Sequence, residues 1–336
     1  MKKYEPVDIN IMSSEQRSDF LLALLPHIKK YSSISGGEGT AYFVGDKLIV
    51  KEFDKAKDKA LLDSIFEAYA EESKKFAEMG YAVPQVYAWA KVDAKKSLFS
   101  KETEKRFYIL EEQIQGRELF LSKLSSVYEQ IRCDITKREY DRAVQNPMKY
   151  PAIYKQIIKE YINDFITVNA YIESLSDSQM ESFIDSMYQM FKQAKYSIPD
   201  IHKKNVFMTD DGLKIIDNYM AIKCEHDYFS RMSPENFLAT MLVILFKPNE
   251  SVNDMFKKSK IDSGMVDEFQ ILIGENRMVC SAAIEKVLIA MRKYLNGKDI
   301  EHQRILHTAY QRLSRILDYN RAAELISIMN KNYLGM

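Results

Sequence analysis

Cysteine is scarce in this chain, which has only Cys133, Cys224 and Cys280 among its 336 residues. The three cysteines are far apart and form no CxxC pair, so the sequence predicts neither a disulfide framework nor a cysteine-ligated zinc site. Because this usage favours a reducing compartment, we expect a cytoplasmic protein.

Long apolar runs are also missing. The longest, FLATMLVILF at 237–246, has roughly half the length that a membrane-spanning helix needs. The opening residues, MKKYEPVDIN, lack the apolar core of a signal peptide. We therefore expect no association with a membrane.

No charge of one sign prevails, because 48 basic residues balance 48 acidic ones. A chain without net charge has no long-range field to steer it towards nucleic acid, and we expect no nucleic-acid partner.

The chain is long and rich in apolar residues. With 336 residues, of which 46% are hydrophobic, it can bury one large core or two smaller ones.

The first third of the sequence mixes strand and helix patterns. Residues 1–30 hold a helix that begins at a capping box, Ser13 with Gln16, and predict an N-terminal helical extension. After it, short apolar stretches bounded by glycines and polar turns indicate strands, with one helix among them. The predicted strands are 40–44, 47–53, 81–92 and 107–116, and the helix ends before Gly80.

Helical patterns dominate from residue 119 onward. Pro151 opens one helix, and a capping box of Ser178 with Glu181 opens the next. Only the stretch 198–219 interrupts this pattern before the chain becomes helical again.

The change of pattern divides the chain into two parts. We expect a small β-rich N-lobe over 31–116 and a large, mostly helical C-lobe over 117–336. The predicted fold class is therefore α+β with two lobes.

The stretch 198–219 combines oxygen-bearing side chains with a short hairpin. Asp200 precedes the apolar strand NVFM, and Asn205 and Asp217 lie at the start of this strand and the end of its partner LKII. Carboxylate and amide oxygens suit Mg²⁺, which takes few protein ligands and keeps waters and phosphates. The same residue types also occur simply in turns and caps, and this stretch alone favours that interpretation over a metal site.

Three glycines, Gly36, Gly37 and Gly39, directly precede the first strand of the predicted hairpin. Backbone N–H groups at glycines can approach phosphate oxygens, because no Cβ atom intrudes. A hairpin can also carry glycines without any ligand. This feature is therefore compatible with phosphate binding without requiring it.

Lys51 lies within the apolar strand LIVKEF, where its ammonium group needs an anion nearby. On the helix that follows, Glu72 shares a face with Phe76 and Met79, so its carboxylate is expected to point towards the core. Glu71 is the rival on this helix, and its face is expected to be solvated.

Taken in order, these parts resemble the protein-kinase-like superfamily, which includes protein kinases and the aminoglycoside and choline phosphotransferases. The parts are the glycine-rich hairpin, the strand lysine, the helix glutamate, the strand ending EEQIQG, the D-x4-N pair and the aspartate after the second hairpin. The resemblance covers roughly residues 31–246. It implies a two-lobed kinase-like fold and transfer of the γ-phosphate of ATP, with Mg²⁺, to a hydroxyl.

The resemblance implies a role for each matching residue of the N-lobe. The glycine-rich segment would cover the phosphates, Lys51 would pair with the α- and β-phosphates, and Glu72 would pair with Lys51. The strand end resembles the hinge, where Glu112 and the backbone of Ile114 would meet adenine. Ile34 stands where the first glycine of the loop is usual, which is a departure from the family.

In the C-lobe, the resemblance makes Asp200 the catalytic base and makes Asn205 and Asp217 the two metal ligands. Ile198-Pro199 replaces the His-Arg that precedes this aspartate in protein kinases. The helices within 119–196 exceed what the family fold needs and imply a helical insertion.

Several functions stay open at this point. The pattern GGEGTAY favours a Ser/Thr protein kinase of bacterial type, whereas the missing arginine before Asp200 and the presence of His202 favour a small-molecule kinase of the aminoglycoside or choline type. A pseudokinase that serves as a scaffold or binding module, and a nucleotidyl transferase, are further alternatives. The retention of every key position argues for an enzyme whose acceptor the sequence does not identify.

Overall fold

A computed structural model describes most of the first 246 residues and two later stretches. The described residues are 8–36, 39–54, 59–95, 103–119, 136–146, 149–195, 197–198, 205–216, 221–222, 232–246, 277–291 and 294. The chain divides into two compact units. Unit 1 comprises Met1–Gly116, Gln189–Asp200 and Lys214–Arg231, and unit 2 comprises Arg117–Tyr188, Ile201–Leu213 and Met232–Met336.

Unit 1 is built on a five-stranded antiparallel sheet. Its strands are β1 (Ser33–Ser35), β2 (Thr40–Val44), β3 (Leu48–Glu52), β4 (Val86–Lys95) and β5 (Thr103–Glu112), in the spatial order β1–β2–β3–β5–β4. Strands β2 and β3 form a hairpin around Gly45, whose φ of 71° lies in the left-handed region that glycine adopts without strain. The hairpin predicted at this turn is confirmed.

Strands β4 and β5 extend further towards each other than the sequence predicted. The apolar alternation predicted ends at residues 92 and 107, but the ladder continues through Asp93, which pairs with Lys105, to Lys95, which pairs with Thr103. The backbone pairing of the ladder thus continues where the apolar alternation has stopped. All four predicted ends of these strands, 81 and 92 for β4 and 107 and 116 for β5, were therefore wrong.

One face of the sheet is covered by the N-terminal segment. Helix α1 (Ser14–Leu24) begins at the predicted capping box, and a short 3-10 helix (Leu25–Lys30) follows it. Leu21 is fully buried in one cluster with Val50 and Leu110 of the sheet. The helical extension is thus part of the core of unit 1.

The opposite face is covered by helix α2 (Lys59–Glu78). Phe66 of this helix is buried in one cluster with Ile109 of β5. Met79 was expected on the same inward stripe but is 46% exposed, because the helix ends at Glu78 and Met79 lies in the turn that follows. Membership of Met79 in the core stripe is therefore a wrong prediction.

Unit 1 also contains a short antiparallel pair of strands, which are β7 (Ser197–Ile198) and β10 (Ala221–Ile222). A separate three-stranded sheet has the order β6–β8–β9, where β6 is Arg117–Glu118, β8 is Val206–Thr209 and β9 is Gly212–Ile215. The hairpin of β8 and β9 confirms the second predicted hairpin.

Helices make up most of the described part of unit 2. They are α3 (Lys137–Gln145), α4 (Pro151–Ser174), α5 (Asp177–Gln193, whose last turn belongs to unit 1), α6 (Pro234–Phe246) and α7 (Arg277–Met291). A β-rich unit and a mostly helical unit confirm the predicted α+β class. Within the described residues, none of the helices combines the length and apolarity that a membrane span requires.

The start of α5 differs from the prediction. Ser176 and Gln179 exchange the two reciprocal bonds of a capping box, with 2.9 Å from the Ser176 backbone N to the Gln179 Oε1 and 3.2 Å from the Gln179 backbone N to the Ser176 Oγ. The helix therefore begins two residues earlier than the predicted box, Ser178 with Glu181. Both serines precede a Glu or Gln at the required spacing, and the local pattern could not separate them.

Candidate functional site

Lys51 lies on the sheet face that α2 covers. Strand residues alternate between faces, so Lys51 shares its face with the buried Phe53, while Val50 faces α1. Its partner in the register of β5 is Ile109. Only 15% of the lysine side chain is exposed, so its charge is largely removed from water.

The ammonium of Lys51 is held by a carboxylate of the same sheet. Its Nζ lies 2.7 Å from Oε1 of Glu111, whose side chain is only 2% exposed. Glu111 faces Ile49 in the register, so Lys51 and Glu111 are diagonal neighbours on one face. A carboxylate this deeply buried needs a cation or several hydrogen bonds. Glu111 thus meets the predicted need of Lys51 for an anion.

Glu111 was not singled out from the sequence, although a signal for it exists. Phe107, Ile109 and Glu111 are spaced two residues apart in β5 and therefore lie on one face. Two buried apolar residues in phase with a glutamate predict a buried carboxylate. The pattern was missed because Glu111 belongs to a polar pair with Glu112 at the end of the strand.

Lys51 also contacts a distant part of the chain. Its Nζ donates a hydrogen bond to the backbone carbonyl of Ile216 at 2.8 Å. The preceding residue, Ile215, donates its N–H to the carbonyl of Ala82 at 2.8 Å. The end of β9 therefore lies beside β3 within unit 1. Asp217, a predicted metal ligand, follows Ile216 directly in the sequence and lies outside the described residues.

The pair of β7 and β10 joins the two segments that flank the predicted aspartates. Ile198 is the register partner of Ala221 in this antiparallel pair. Asp200 comes shortly after Ile198 in the sequence, and Asp217 comes shortly before Ala221. The described residues on these flanks are thus neighbours in space, whereas Asp200, like Asp217, is outside the described residues.

Glu72 lies on the inner side of α2. It is half-buried, Phe76 is buried, and Glu71 is exposed, which confirms the predicted orientation of the helix. Its Oε2 accepts a hydrogen bond from the backbone N–H of Lys195 at 2.7 Å. This bond connects α2 to the segment that precedes Asp200. An ion pair of Glu72 with Lys51 stays a prediction.

The glycine-rich segment joins β1 to β2. The N–H of Gly36 donates to the carbonyl of Gly39 at 2.8 Å and closes a tight connection. A Cβ atom at Gly39 would lie 1.9 Å from the carbonyl oxygen of Glu52, whereas at Gly36 the nearest atom would be 3.9 Å away. Gly39 is therefore required by the close approach of two strands, independently of any ligand. Gly37 lies outside the described residues.

The predicted hinge is held to the sheet by several bonds. Oε2 of Glu112 accepts from the backbone N–H of Gln85 at 3.2 Å, and its Oε1 lies 3.8 Å from the Nζ of Lys214. The N–H of Gln113 donates to the carbonyl of Lys47 at 2.8 Å. Ile114 follows outside regular structure and is half-buried. These bonds fix the backbone that the resemblance places next to adenine, and contact with adenine stays a prediction.

The predicted metal site is described only in part. Asn205 lies in the turn before β8 and is 6% exposed. That Asn205 and Asp217 together hold Mg²⁺, which takes few protein ligands, stays a prediction. Within the described part of the chain, no group of three or more His, Cys, Asp and Glu side chains could hold a metal ion.

A second buried carboxylate stabilises the strand that carries Lys51. Glu52, on the opposite face of β3, accepts hydrogen bonds from the hydroxyls of Tyr42 at 2.8 Å and Tyr108 at 2.9 Å and from Nη1 of Arg106 at 3.0 Å. Burial, reinforced by the Glu52 carboxylate, raises the pKa of Tyr108 above its ordinary range. This cluster ties β2, β3 and β5 together beneath the N-terminal segment.

No protein-family model and no curated protein matches this chain. Among solved structures, a Legionella pneumophila kinase bound to IP6 matches with a TM-score of 0.33 and 12% identity, covering 68% of this chain and 67% of its own. An amicoumacin kinase in complex with AMP-PNP, Ca²⁺ and Ami matches with a TM-score of 0.31 and 10% identity, covering 96% and 95%. A thermostable mutant of an aminoglycoside phosphotransferase, in its apo form, has a TM-score of 0.24 and 10% identity, covering 92% and 98%.

All three structures are kinases or phosphotransferases by name. Every TM-score lies below 0.5, with the highest at 0.33. No ligand, activity or residue role of these proteins is therefore carried over to this chain.

Proposed function

We propose that this chain is an ATP- and Mg²⁺-dependent phosphotransferase, a kinase that moves the γ-phosphoryl group of ATP to a hydroxyl. The observation that carries the proposal is the position of Lys51, whose ammonium donates to the carbonyl of Ile216 at 2.8 Å. Asp217 is the next residue. We expect the Asp217 carboxylate near this cation, because a metal-bound phosphate requires a fixed cation beside a carboxylate.

In this proposal each residue has one task. Lys51 binds oxygens of the α- and β-phosphates, and the backbone of the glycine-rich segment approaches them from the hairpin. Asp217 and Asn205 would hold Mg²⁺, which supplies positive charge against the charge that develops on the phosphates. These contacts fix the triphosphate for in-line attack.

Asp200 acts on the acceptor. Its carboxylate orients the acceptor hydroxyl and takes its proton as the new bond from the hydroxyl oxygen to phosphorus forms. The bond between the γ-phosphorus and the bridging oxygen breaks at the same time, and ADP leaves with that electron pair. The proton on Asp200 is then released to solvent, which restores the carboxylate.

For the acceptor, we propose a serine or threonine hydroxyl of a protein, with the reaction in the cytoplasm. The pattern GGEGTAY supports this choice. Ile198-Pro199 in place of His-Arg supports a small hydroxyl compound instead. Incubation of the protein with γ-labelled ATP, Mg²⁺ and cell extract separates the two, because the label goes either to protein or to a metabolite.

The proposal is tested by calorimetry of Mg·ATP binding. The wild type should bind ATP only with Mg²⁺ present. Lys51→Ala should bind Mg·ATP about tenfold more weakly, which corresponds to ~1.4 kcal/mol. The ATP affinity of Asp217→Asn should no longer depend on Mg²⁺. Lys91→Ala is the matched control, since Lys91 is also a sheet lysine with a carboxylate partner, Asp63. A wild-type protein that binds no Mg·ATP would overturn the proposed function.

A further inference from the structure

We propose that Glu72 positions the chain segment that leads to Asp200, by accepting a hydrogen bond from its backbone. This role rests on the proposed function, and it differs from the partnership with Lys51 that the resemblance implies. The observation is the bond from the backbone N–H of Lys195 to Oε2 of Glu72, 2.7 Å long and joining residues 123 positions apart. Lys195 lies five residues before Asp200 in the sequence.

The described residues 193–195 and 197–198 are held at several points within unit 1. Nε2 of Gln193 donates to the hydroxyl of Tyr81 at 3.0 Å, and the N–H of Lys195 donates to Glu72. Ser197–Ile198 then pairs with β10. The bond to Glu72 therefore holds Lys195 between two other contacts, that of Gln193 before it and that of Ser197–Ile198 after it.

The last turns of α2 pack against the loop that follows the helix. Phe76, one turn after Glu72, is buried and packs its ring on that of Tyr81, with the ring centroids 5.8 Å apart. The N–H of Tyr81 also donates to the carbonyl of Phe76 at 3.2 Å. A side chain carried by a packed helix keeps its position better than one carried by a loop. Glu72 thus offers Lys195 a fixed acceptor.

A backbone N–H requires an acceptor oxygen, whereas a lysine ammonium requires a negative charge. Glutamine has an oxygen at the same distance from the backbone as glutamate, but no charge. A bond to Lys195 should therefore survive Glu72→Gln in large part, while an ion pair with Lys51 would not. Lys51 has the carboxylate of Glu111 at 2.7 Å as a source of negative charge.

The experiment compares Glu72→Ala with Glu72→Gln, and Glu71→Ala serves as the matched control on the exposed side of the same helix. The kcat of phosphate transfer and the Kd for Mg·ATP are measured for each. Glu72→Ala should lower kcat roughly tenfold, the equivalent of losing one charge-assisted hydrogen bond at the low end of its range. Its Kd should stay within about twofold of the wild type, and Glu72→Gln and Glu71→Ala should retain most of the wild-type kcat.

Thermal unfolding of each variant shows whether the fold is kept. Alanine favours helices, and Glu72→Met, which keeps length without an oxygen, repeats the test if Glu72→Ala unfolds early. The proposal is overturned if Glu72→Gln loses as much kcat as Glu72→Ala while both weaken Mg·ATP binding as Lys51→Ala does. It is also overturned if Glu72→Ala and Glu72→Met turn over like the wild type. A wild type without Mg·ATP binding would instead refute the proposed function, and this role with it.

Discussion

The ion pair of Lys51 and Glu111 gives a quantitative prediction about the stability of unit 1. We consider Lys51→Met, Glu111→Met and the double variant, because methionine is unbranched and fills a similar volume without charge. Each single change removes the ion-pair partner of the other charge, whose side chain is largely buried. The double change leaves no charge there, so the two effects should not add.

The exposures of the two side chains set the size of the effect. Glu111 is 2% exposed and Lys51 is 15% exposed. Breaking a buried ion pair costs about 3–5 kcal/mol, whereas replacing both partners by apolar residues is often neutral. Because Lys51 keeps some contact with water, we expect the lower end, ~3 kcal/mol, for Glu111→Met, which leaves the lysine, and the upper end, ~5 kcal/mol, for Lys51→Met, which leaves the more deeply buried glutamate. The double variant should lie within ~1 kcal/mol of the wild type.

Urea unfolding followed by tryptophan fluorescence is a suitable assay. The chain has a single tryptophan, Trp89. This residue pairs with Ile109, the residue that also faces Lys51, and it packs on the cluster beneath α2. Its emission therefore reports on the same part of the sheet.

An ion pair of Lys51 and Glu111 is refuted if the effects of the two single changes add up to that of the double change within about 0.5 kcal/mol, as independent sites do. Additivity would mean that the two charges do not meet in solution. A double variant that is less stable than either single variant would also contradict the ion pair. Equal denaturant slopes for all four proteins are the control, since they show that the same surface unfolds in each.

Two smaller predictions concern the sheet around Lys51. Gly39→Ala should destabilise the fold by about 1–3 kcal/mol, because its Cβ would lie 1.9 Å from the carbonyl oxygen of Glu52. Gly36→Ala should stay within about 0.5 kcal/mol of the wild type. Equal urea midpoints for the two variants would contradict this prediction. Because burial raises the pKa of Tyr108 in the folded state above the ~10 of an unfolded tyrosine, its contribution to stability is complete below about pH 10 and is lost as the pH rises further. Tyr108→Phe should therefore flatten the decline of the urea midpoint between about pH 9 and about pH 11.5, and an unchanged decline would contradict it.

Local patterns predicted the elements of unit 1 well where one signal was present. The turn at Gly45 and the capping box at Ser13 each have one strong local signature, and both are confirmed. Where two signatures overlapped, as at Ser176 and Ser178, the pattern gave the wrong helix start. Strand ends were misplaced for a related reason, because the ladder continues into polar residues that lack apolar alternation.

The contacts that define the candidate site could not be predicted from local patterns. The bond of Lys51 to Ile216 joins residues 165 positions apart, and that of Glu72 to Lys195 joins residues 123 positions apart. Periodicity shows which face of an element is buried, but not which distant segment packs there. Glu72 was correctly placed on the inner face of α2, while its partner Lys195 was found only in the structure.

Phosphate transfer by Asp200→Asn, compared with its Mg·ATP binding, tests the proposed activity most directly. Asparagine keeps the size of the side chain but cannot take the proton of the acceptor. Label transfer from γ-labelled ATP should fall by roughly 10²–10⁴-fold, as is typical when a general base is lost, while the Kd for Mg·ATP measured by calorimetry should stay that of the wild type. An Asp200→Asn variant that transfers label as fast as the wild type would show that Asp200 is not the base.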